Sequence, residues 1–318
     1  MAHDISHEAL PGGMRAAEAA KITRTVARLS VATASVLIAL KLWAWIASDS
    51  VAMLSSLADS SLDGVASLFT LFAVSYAAAP PDKEHRYGHG KAEAFAALMQ
   101  ASLVTFSACL VAIEAVRRFS DPRPIAESAL ALTVMGVSIA LTMALIYAQS
   151  RALAKTGSVA TKGDRAHYAA DLGANLAVIA GIGTASFLGW RWADPLIGLG
   201  VAIWLVWNAV EVARGGWDQL LDRELSDEAR ERIRHLALSQ GVLLDVHQLR
   251  TRASGPYVHI QFHAEMPPHL SLIEVHEAMV AAERAILNEF PAADVIIHPD
   301  PHGYAEPHGS DMFAEAAE

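Results

Sequence analysis

The sequence predicts an all-α domain of six transmembrane helices, followed by a C-terminal α+β domain of ferredoxin-like type with the element order αββαβ. Hydrophobic residues make up 53% of the 318-residue chain and charged residues 18%, which is apolar for a soluble protein. Residues 214–318 carry 18 acidic and 8 basic side chains, whereas residues 1–213 carry 16 of each, so the net charge of −10 lies on the C-terminal third. This distribution of charge predicts a neutral apolar domain followed by an acidic soluble domain.

Six apolar stretches are each long enough to cross a bilayer, which takes about 20 helical residues. A soluble protein with six buried helices would need more polar surface than residues 26–213 offer. Residues 1–25 lack the apolar core of a signal peptide and are expected to form a cytoplasmic tail, and residues 303–318 are expected to be disordered. The predicted spans are Val26–Ala47, Val51–Ala79, Ala94–Val116, Ala129–Ala148, His167–Leu188 and Asp194–Val212.

The basic residues that flank the spans predict the orientation, because lysine and arginine are enriched in cytoplasmic loops. The N-terminal tail and the second and fourth loops are rich in them, which places both termini in the cytoplasm. The basic residues on this side are Arg15, Lys21, Arg24, Arg28, Lys83, Arg86, Lys91, Arg151, Lys155, Lys162 and Arg165, against Arg117, Arg118, Arg123 and Arg191 on the other.

Residues 214–302 have the pattern of a small two-layer domain. Ser226 is a helix cap followed by acidic residues in the first turn, and Ser271 with Glu274 forms a capping box. Apolar and polar residues alternate over Tyr257–Met266, as in a half-buried strand. The predicted elements are a helix to about Ser239, strands at Asp245–Arg252 and Tyr257–Met266, a helix from Ser271 to about Phe290, and a strand at Asp294–His298.

Two pairs of ionisable residues lie inside predicted spans. Asp59 and Asp63 are four residues apart in the second span, and His167 and Asp171 are four apart in the fifth, so each pair shares a helix face. Ionisable residues are costly in hydrocarbon and indicate function by default. Three carboxylates and one imidazole suit a tetrahedral Zn²⁺ site. The alternative is that the aspartates hydrogen-bond nearby serines and that His167 lies at the membrane surface.

Two further clusters lie outside the spans. Asp82, His85 and His89, in the loop after the second span, are spaced to bind one cation, although a polar loop with incidental histidines explains them equally well. Nine of the 14 histidines lie in the C-terminal third, where solvent exposure is the alternative to metal binding. His259 shares a strand face with His263 and has no assigned role. The second cluster comprises His247 and His263 on adjacent strands, His276 on the helix, and His298 with Asp300 at the last strand.

Several classes of protein are disfavoured. No basic patch is present to neutralise the phosphates of a nucleic acid, and no GxxxxGK[ST] run is present to bind a nucleotide. The single cysteine, Cys109, excludes a disulfide framework or a thiolate metal cage within the chain. A membrane metalloprotease would carry HExxH, and the sequence from His276 lacks the second histidine. A membrane-anchored metal sensor would not need carboxylates in mid-membrane.

The chain resembles the cation diffusion facilitator family, in its YiiP-like bacterial zinc and iron efflux branch. The resemblance covers about Arg15 to Asp300 and rests on the paired ligands, the αββαβ domain and three runs of sequence. The runs are Gly88-His-Gly-Lys-Ala-Glu93, Leu249-Arg-Thr-Arg252 and Asp294-Val-Ile-Ile-His298. It implies a homodimer in the bacterial inner membrane that exports divalent transition-metal ions, with Zn²⁺ favoured and Cd²⁺ and Fe²⁺ also accepted, in exchange for protons.

The resemblance also implies residue roles. Asp59, Asp63, His167 and Asp171 form the transport site, and Asp82, His85 and His89 form a loop site. Lys91 and Asp222 tie the membrane and soluble domains together at the dimer interface. Pro299 stands where the branch has glutamine, which affects only a backbone carbonyl. The remaining implied site is a binuclear cytoplasmic one made by His247, His263, His276, His298 and Asp300, with Asp300 bridging.

Overall fold

A computed structural model describes residues 12–48, 51–120, 129–188 and 192–304 of the chain. Most of the predicted disordered tail and the first eleven residues therefore lie outside the described part. Six long helices precede a small α/β domain, and the chain passes from one part to the other after Leu220.

Five of the six helices are longer than the predicted spans, whereas the second ends at Ala77, two residues before its predicted end at Ala79. Apolar runs mark only the part of a helix that lipid covers, whereas the helical hydrogen bonds continue into polar sequence at either end. The fifth helix shows this best, because it begins at Val159 and not at His167. The helices are α1 (Ala16–Ser48), α2 (Val51–Ala77), α3 (Ala92–Ser120), α4 (Ala129–Thr156), α5 (Val159–Leu188) and α6 (Ala193–Leu220).

Within the described residues, five of these helices are long and apolar enough to cross a membrane: α1, α2, α3, α4 and α6. Helix α5 does not meet the same criterion. Its N-terminal half carries Lys162, Asp164, Arg165, His167 and Asp171, which lower its hydropathy. That α5 is the sixth span therefore stays a prediction.

Asp164 of α5 is fully enclosed and accepts hydrogen bonds from three other helices. Its carboxylate accepts from Ser30 Oγ of α1 at 2.6 Å, from Gln149 Nε2 of α4 at 2.8 Å and from Gln100 Nε2 of α3 at 3.3 Å. All four side chains are buried. A buried carboxylate is tolerated only when it is well bonded, so this contact fixes where α5 packs among its neighbours.

The α/β domain has the predicted element order. It consists of α7 (Asp227–Leu238), β1 (Asp245–Ser254), β2 (Tyr257–Met266), α8 (Leu272–Glu289) and β3 (Ala293–Pro301). The sheet order is β1-β2-β3, with β1 antiparallel and β3 parallel to β2. The predicted capping box of Ser271 and Glu274 is confirmed, as are the bounds of β2. Classification of the domain as ferredoxin-like stays a prediction.

The core of this domain lies between the sheet and its two helices. Four alternate residues of β2 face it, as the sequence alternation predicts, and all are at most 2% exposed: Val258, Ile260, Phe262 and Ala264. Ile233 of α7 and Ile286 of α8 pack on this face. The opposite face of β2 was predicted to be polar, yet His259 there is 6% exposed. It is buried because the loop between α2 and α3 covers it.

That loop joins the two parts of the chain. A Cβ atom on Gly90 would lie 2.0 Å from the backbone oxygen of Ser254. A Cβ atom on Gly255, at φ +56°, would lie 2.7 Å from the backbone oxygen of Gly90. The loop and the β1–β2 turn therefore meet backbone to backbone, at a distance that only glycine allows.

Candidate metal sites

The first candidate site lies between α2 and α5. His167 Nε2 is 3.0 Å from Asp63 Oδ1 and 3.9 Å from Asp171 Oδ2. One atom from each of the three residues lies within 4.8 Å of the others, as one metal ion would require. His167 and Asp171 are i, i+4 on α5, and Asp63 meets them from α2. The His167 side chain is 6% exposed and Asp63 is 19% exposed, so the group is largely shielded.

Asp59 was predicted to be the fourth ligand, but it lies outside this group and is exposed in the single chain. Sequence analysis missed Lys41 of α1, whose Nζ donates to Ser60 Oγ at 2.6 Å and to the Ser56 carbonyl at 3.3 Å. These serines lie on the turns of α2 that carry the aspartates. A lysine within an apolar run is itself a signal of function, and it could have identified Lys41.

The second candidate site is in the loop between α2 and α3. Asp82 Oδ1 is 3.5 Å from His85 Nδ1, and Asp82 Oδ2 is 3.3 Å from His89 Nε2. The backbone N–H of His85 donates to Asp82 Oδ1 at 2.7 Å, and that of Glu84 at 2.9 Å. The bond from His85 holds the pKa of Asp82 below its ordinary value. The loop thus presents a fixed carboxylate beside two imidazoles, an arrangement that suits a divalent cation.

The third candidate site crosses all three strands of the α/β domain. His247 pairs with His263 across β1 and β2, and His263 pairs with His298 across β2 and β3, so the imidazoles stand in one row. Asp300 joins them, with Oδ2 at 2.9 Å from His263 Nδ1 and 3.3 Å from His247 Nε2. Its Oδ1 is 3.4 Å from His298 Nε2.

The position of Asp300 suits a bridging ligand, because its two oxygens face different imidazoles. Burial opposes its ionisation, yet the hydrogen bond from His263 and the nearby imidazoles hold its pKa below the ordinary value. His247, His263 and Asp300 form a group within 4.8 Å. His276 of α8 is exposed and lies outside this group.

The predicted charge pair lies at the junction of the two parts of the chain. Lys91 Nζ is 2.8 Å from Asp222 Oδ1, and Arg252 Nη1 is 3.1 Å from Asp222 Oδ2. Burial opposes ionisation of Asp222, but the hydrogen bond from Lys91 and the charge of Arg252 keep its pKa below the ordinary value. Arg252 also lies 4.8 Å over the ring of Tyr87. These contacts hold the loop against the α/β domain.

Known proteins resemble the chain along most of its length. Residues 27–221 match the family described as "Cation efflux transmembrane domain", and residues 225–302 match "Cation efflux protein, cytoplasmic domain". The cation-efflux pump FieF of Shewanella oneidensis is 41% identical over 278 residues, which cover 87% of this chain and 94% of the relative. The pump of the same name from Citrobacter koseri is 38% identical over 281 residues, with coverages of 87% and 93%.

A solved structure described as "Mode of Action of a Putative Zinc Transporter CzrB (Zn form)" matches 27% of this chain and 99% of its own chain. Its sequence identity is 33% and its TM-score is 0.25.

Proposed function

This chain belongs to the cation efflux family and is a multi-pass membrane transporter, and we propose that it exports Zn²⁺ from the cytoplasm in exchange for protons. The proposal places a homodimer of six-span subunits in the bacterial inner membrane, with both termini in the cytoplasm. Cd²⁺ and Fe²⁺ are further cargo ions. The observation that carries the proposal is the group formed by Asp63, His167 and Asp171 between helices α2 and α5.

The intramembrane group supports Zn²⁺ as the cargo. Zn²⁺ takes four nitrogen, oxygen or sulfur ligands in a tetrahedron, and two carboxylates with one imidazole supply three. We propose that Asp59, one turn before Asp63, supplies the fourth when the ion binds. Mn²⁺ prefers oxygen ligands, so His167 disfavours it.

Proton exchange follows from the chemistry of the ligands. Carboxylate and imidazole groups bind a metal ion only when they are deprotonated, so protons and Zn²⁺ compete for one site. Releasing Zn²⁺ to an acidic exterior lets the site take up protons there, and the next cytoplasmic ion displaces them. Export should therefore accelerate when the exterior is more acidic than the cytoplasm.

The α/β domain is proposed to sense cytoplasmic metal. It carries most of the excess negative charge, so two copies repel each other. Zn²⁺ held by His247, His263, His298 and Asp300 neutralises part of that charge, and His276 is proposed to join the site as a further ligand. Metal binding would then favour the close approach of the two domains and stabilise the dimer.

The proposal is tested by measuring Zn²⁺ and proton flux in sealed proteoliposomes. Asp63→Ala removes one of three grouped ligands and should abolish Zn²⁺ flux, while the protein stays folded and membrane-inserted. Ser61→Ala is the matched control on α2, because among the described residues its hydroxyl bonds only the Leu57 carbonyl of its own helix, at 2.8 Å.

Two results would contradict the proposal. Near-normal Zn²⁺ flux through Asp63→Ala would remove this group from the transport path. Zn²⁺ flux that moves no protons and ignores the pH gradient would rule out the antiport mechanism.

A further inference from the structure

A cavity of about 390 Å³ lies where the loop after α2 meets the α/β domain. Two histidines of the loop site, His85 and His89, line it from one part of the chain. Arg252 and His259 line it from strands β1 and β2, and Tyr87 of the loop also lines it. The cavity thus brings histidines from both parts of the chain together.

His259 has the features that metal-binding histidines share. Its side chain is 7% exposed, and its Nδ1 lies 3.3 Å from Asp294 Oδ2. Its Nε2 is buried and has no hydrogen-bond partner among the described residues. Metal-binding histidines typically donate one ring N–H to a carboxylate, which leaves the other nitrogen free to ligate. Burial lowers the pKa of His259 below its ordinary value.

The loop side of the cavity has a similar unpaired atom. His89 Nδ1 is buried and also lacks a hydrogen-bond partner in the described structure, while His89 Nε2 faces Asp82 at 3.3 Å. A buried polar atom without a partner loses its hydrogen bonds to water and gains none in return, which is unfavourable. His89 and His259 both line this cavity, and each has one buried ring nitrogen that packing among the described residues leaves without a partner.

The charges around the cavity permit a cation. Lys91 and Arg252 are the positive side chains that line it, and both are paired with Asp222. Arg252 also covers one face of Tyr87, and the His259 ring meets Tyr87 edge-on at 5.5 Å between centroids. Asp82 adds a carboxylate on the loop side.

We propose that a divalent transition-metal ion held by Asp82, His85 and His89 takes His259 as an additional ligand, so that one ion joins the membrane part of the chain to its α/β domain. The inference rests on the proposed loop site. His259 lies outside the 4.8 Å that groups the three loop residues, so ion binding closes the cavity around it. Binding of cytoplasmic Zn²⁺ at this position would therefore strengthen the contact between the loop and the α/β domain.

The test uses full-length protein in nanodiscs with Zn²⁺ as the probe. A parent variant carrying Asp63→Ala, His263→Ala and Asp300→Ala disables the other two sites. Zinc X-ray absorption of the parent should count three imidazole ligands, and His259→Gln should reduce the count to two and raise the Kd by about tenfold or more. His269→Gln, an exposed histidine of the same domain, is the matched control and should change neither value.

A second measurement leaves His259 in place and so avoids any folding defect of the variant. Zn²⁺ should slow hydrogen exchange of residues 257–261 in the parent. The inference would be overturned if Zn²⁺ left the exchange of residues 257–261 unchanged, or if His259→Gln left the ligand count and the Kd unchanged. Either result would show that His259 is not a ligand, and neither would argue against the loop site itself. If the parent variant binds no Zn²⁺, the loop site is also wrong. The proposed transport function is tested separately, by the Zn²⁺ and proton flux assays.

Discussion

Gly90→Ala should separate the loop from the α/β domain. The added Cβ would lie 2.0 Å from Ser254 O, whereas ordinary contact begins at 3.4 Å, so one backbone must move by about 1.4 Å. The two nearest atoms, Ser254 O at 2.0 Å and Ser254 C at 2.5 Å, are backbone atoms, so rotation of the Ser254 side chain cannot make room. Overpacking of this kind costs about 1–3 kcal/mol, which is a factor of about 5 to 150 in the equilibrium between docked and undocked states.

The assay is hydrogen exchange of the β1–β2 turn, residues 252–257, in full-length protein. Exchange in Gly90→Ala should rise by that factor, because the turn loses its cover and the adjacent Lys91 loses its hold on Asp222. Gly136→Ala on α4 is the matched control, since nothing lies within 4 Å of its added Cβ. If the two variants exchange alike at this turn, the close approach at Gly90 does not hold the domains together.

Three further predictions concern the α/β domain. His263→Ala combined with Asp300→Ala should weaken the Zn²⁺-dependent approach of the two subunits but leave some flux; an inter-subunit distance that Zn²⁺ shortens as in the wild type would argue against the clamp. Asp222→Asn should cost about 0.2–1 kcal/mol in urea unfolding, because the pair is partly exposed. Since the folded-state pKa of Asp222 is depressed, this difference should be constant from pH 5 to 8 and disappear as the pH falls below about 3.9; a difference that persists in acid would contradict the ion pair. Ser271→Ala should lower the stability of the domain by about 1 kcal/mol, and Ser271→Asp should restore it; equal stability of both variants would rule out the cap.

Features set by neighbouring residues could be predicted from the sequence. The capping box needs only Ser271 and Glu274, and its bond from the Ser271 N–H to Glu274 Oε2 is present at 2.7 Å. The alternation over Tyr257–Met266 similarly predicts both the bounds of β2 and its buried face. Such signals depend on helix and strand periodicity alone, and the structure preserves them.

Features set by packing between distant segments could not be predicted. The alternation places His259 on the polar face of β2, and only the position of Tyr87 shows that this face is covered. Lys41 lies on α1, and nothing near it in sequence indicates that its ammonium bonds α2. Asp59 and Asp63 look equivalent by spacing, yet only Asp63 meets His167, because the rotation of α2 is decided by its neighbours.

The buried carboxylate of Asp164 has a consequence for how the protein is made. A buried carboxylate is costly in an apolar environment unless it is hydrogen-bonded. Its hydrogen-bond donors, Ser30, Gln100 and Gln149, all precede it in the chain. All three donors are therefore synthesised before α5. The Asp164 carboxylate can form its hydrogen bonds with them as soon as α5 packs against the earlier helices.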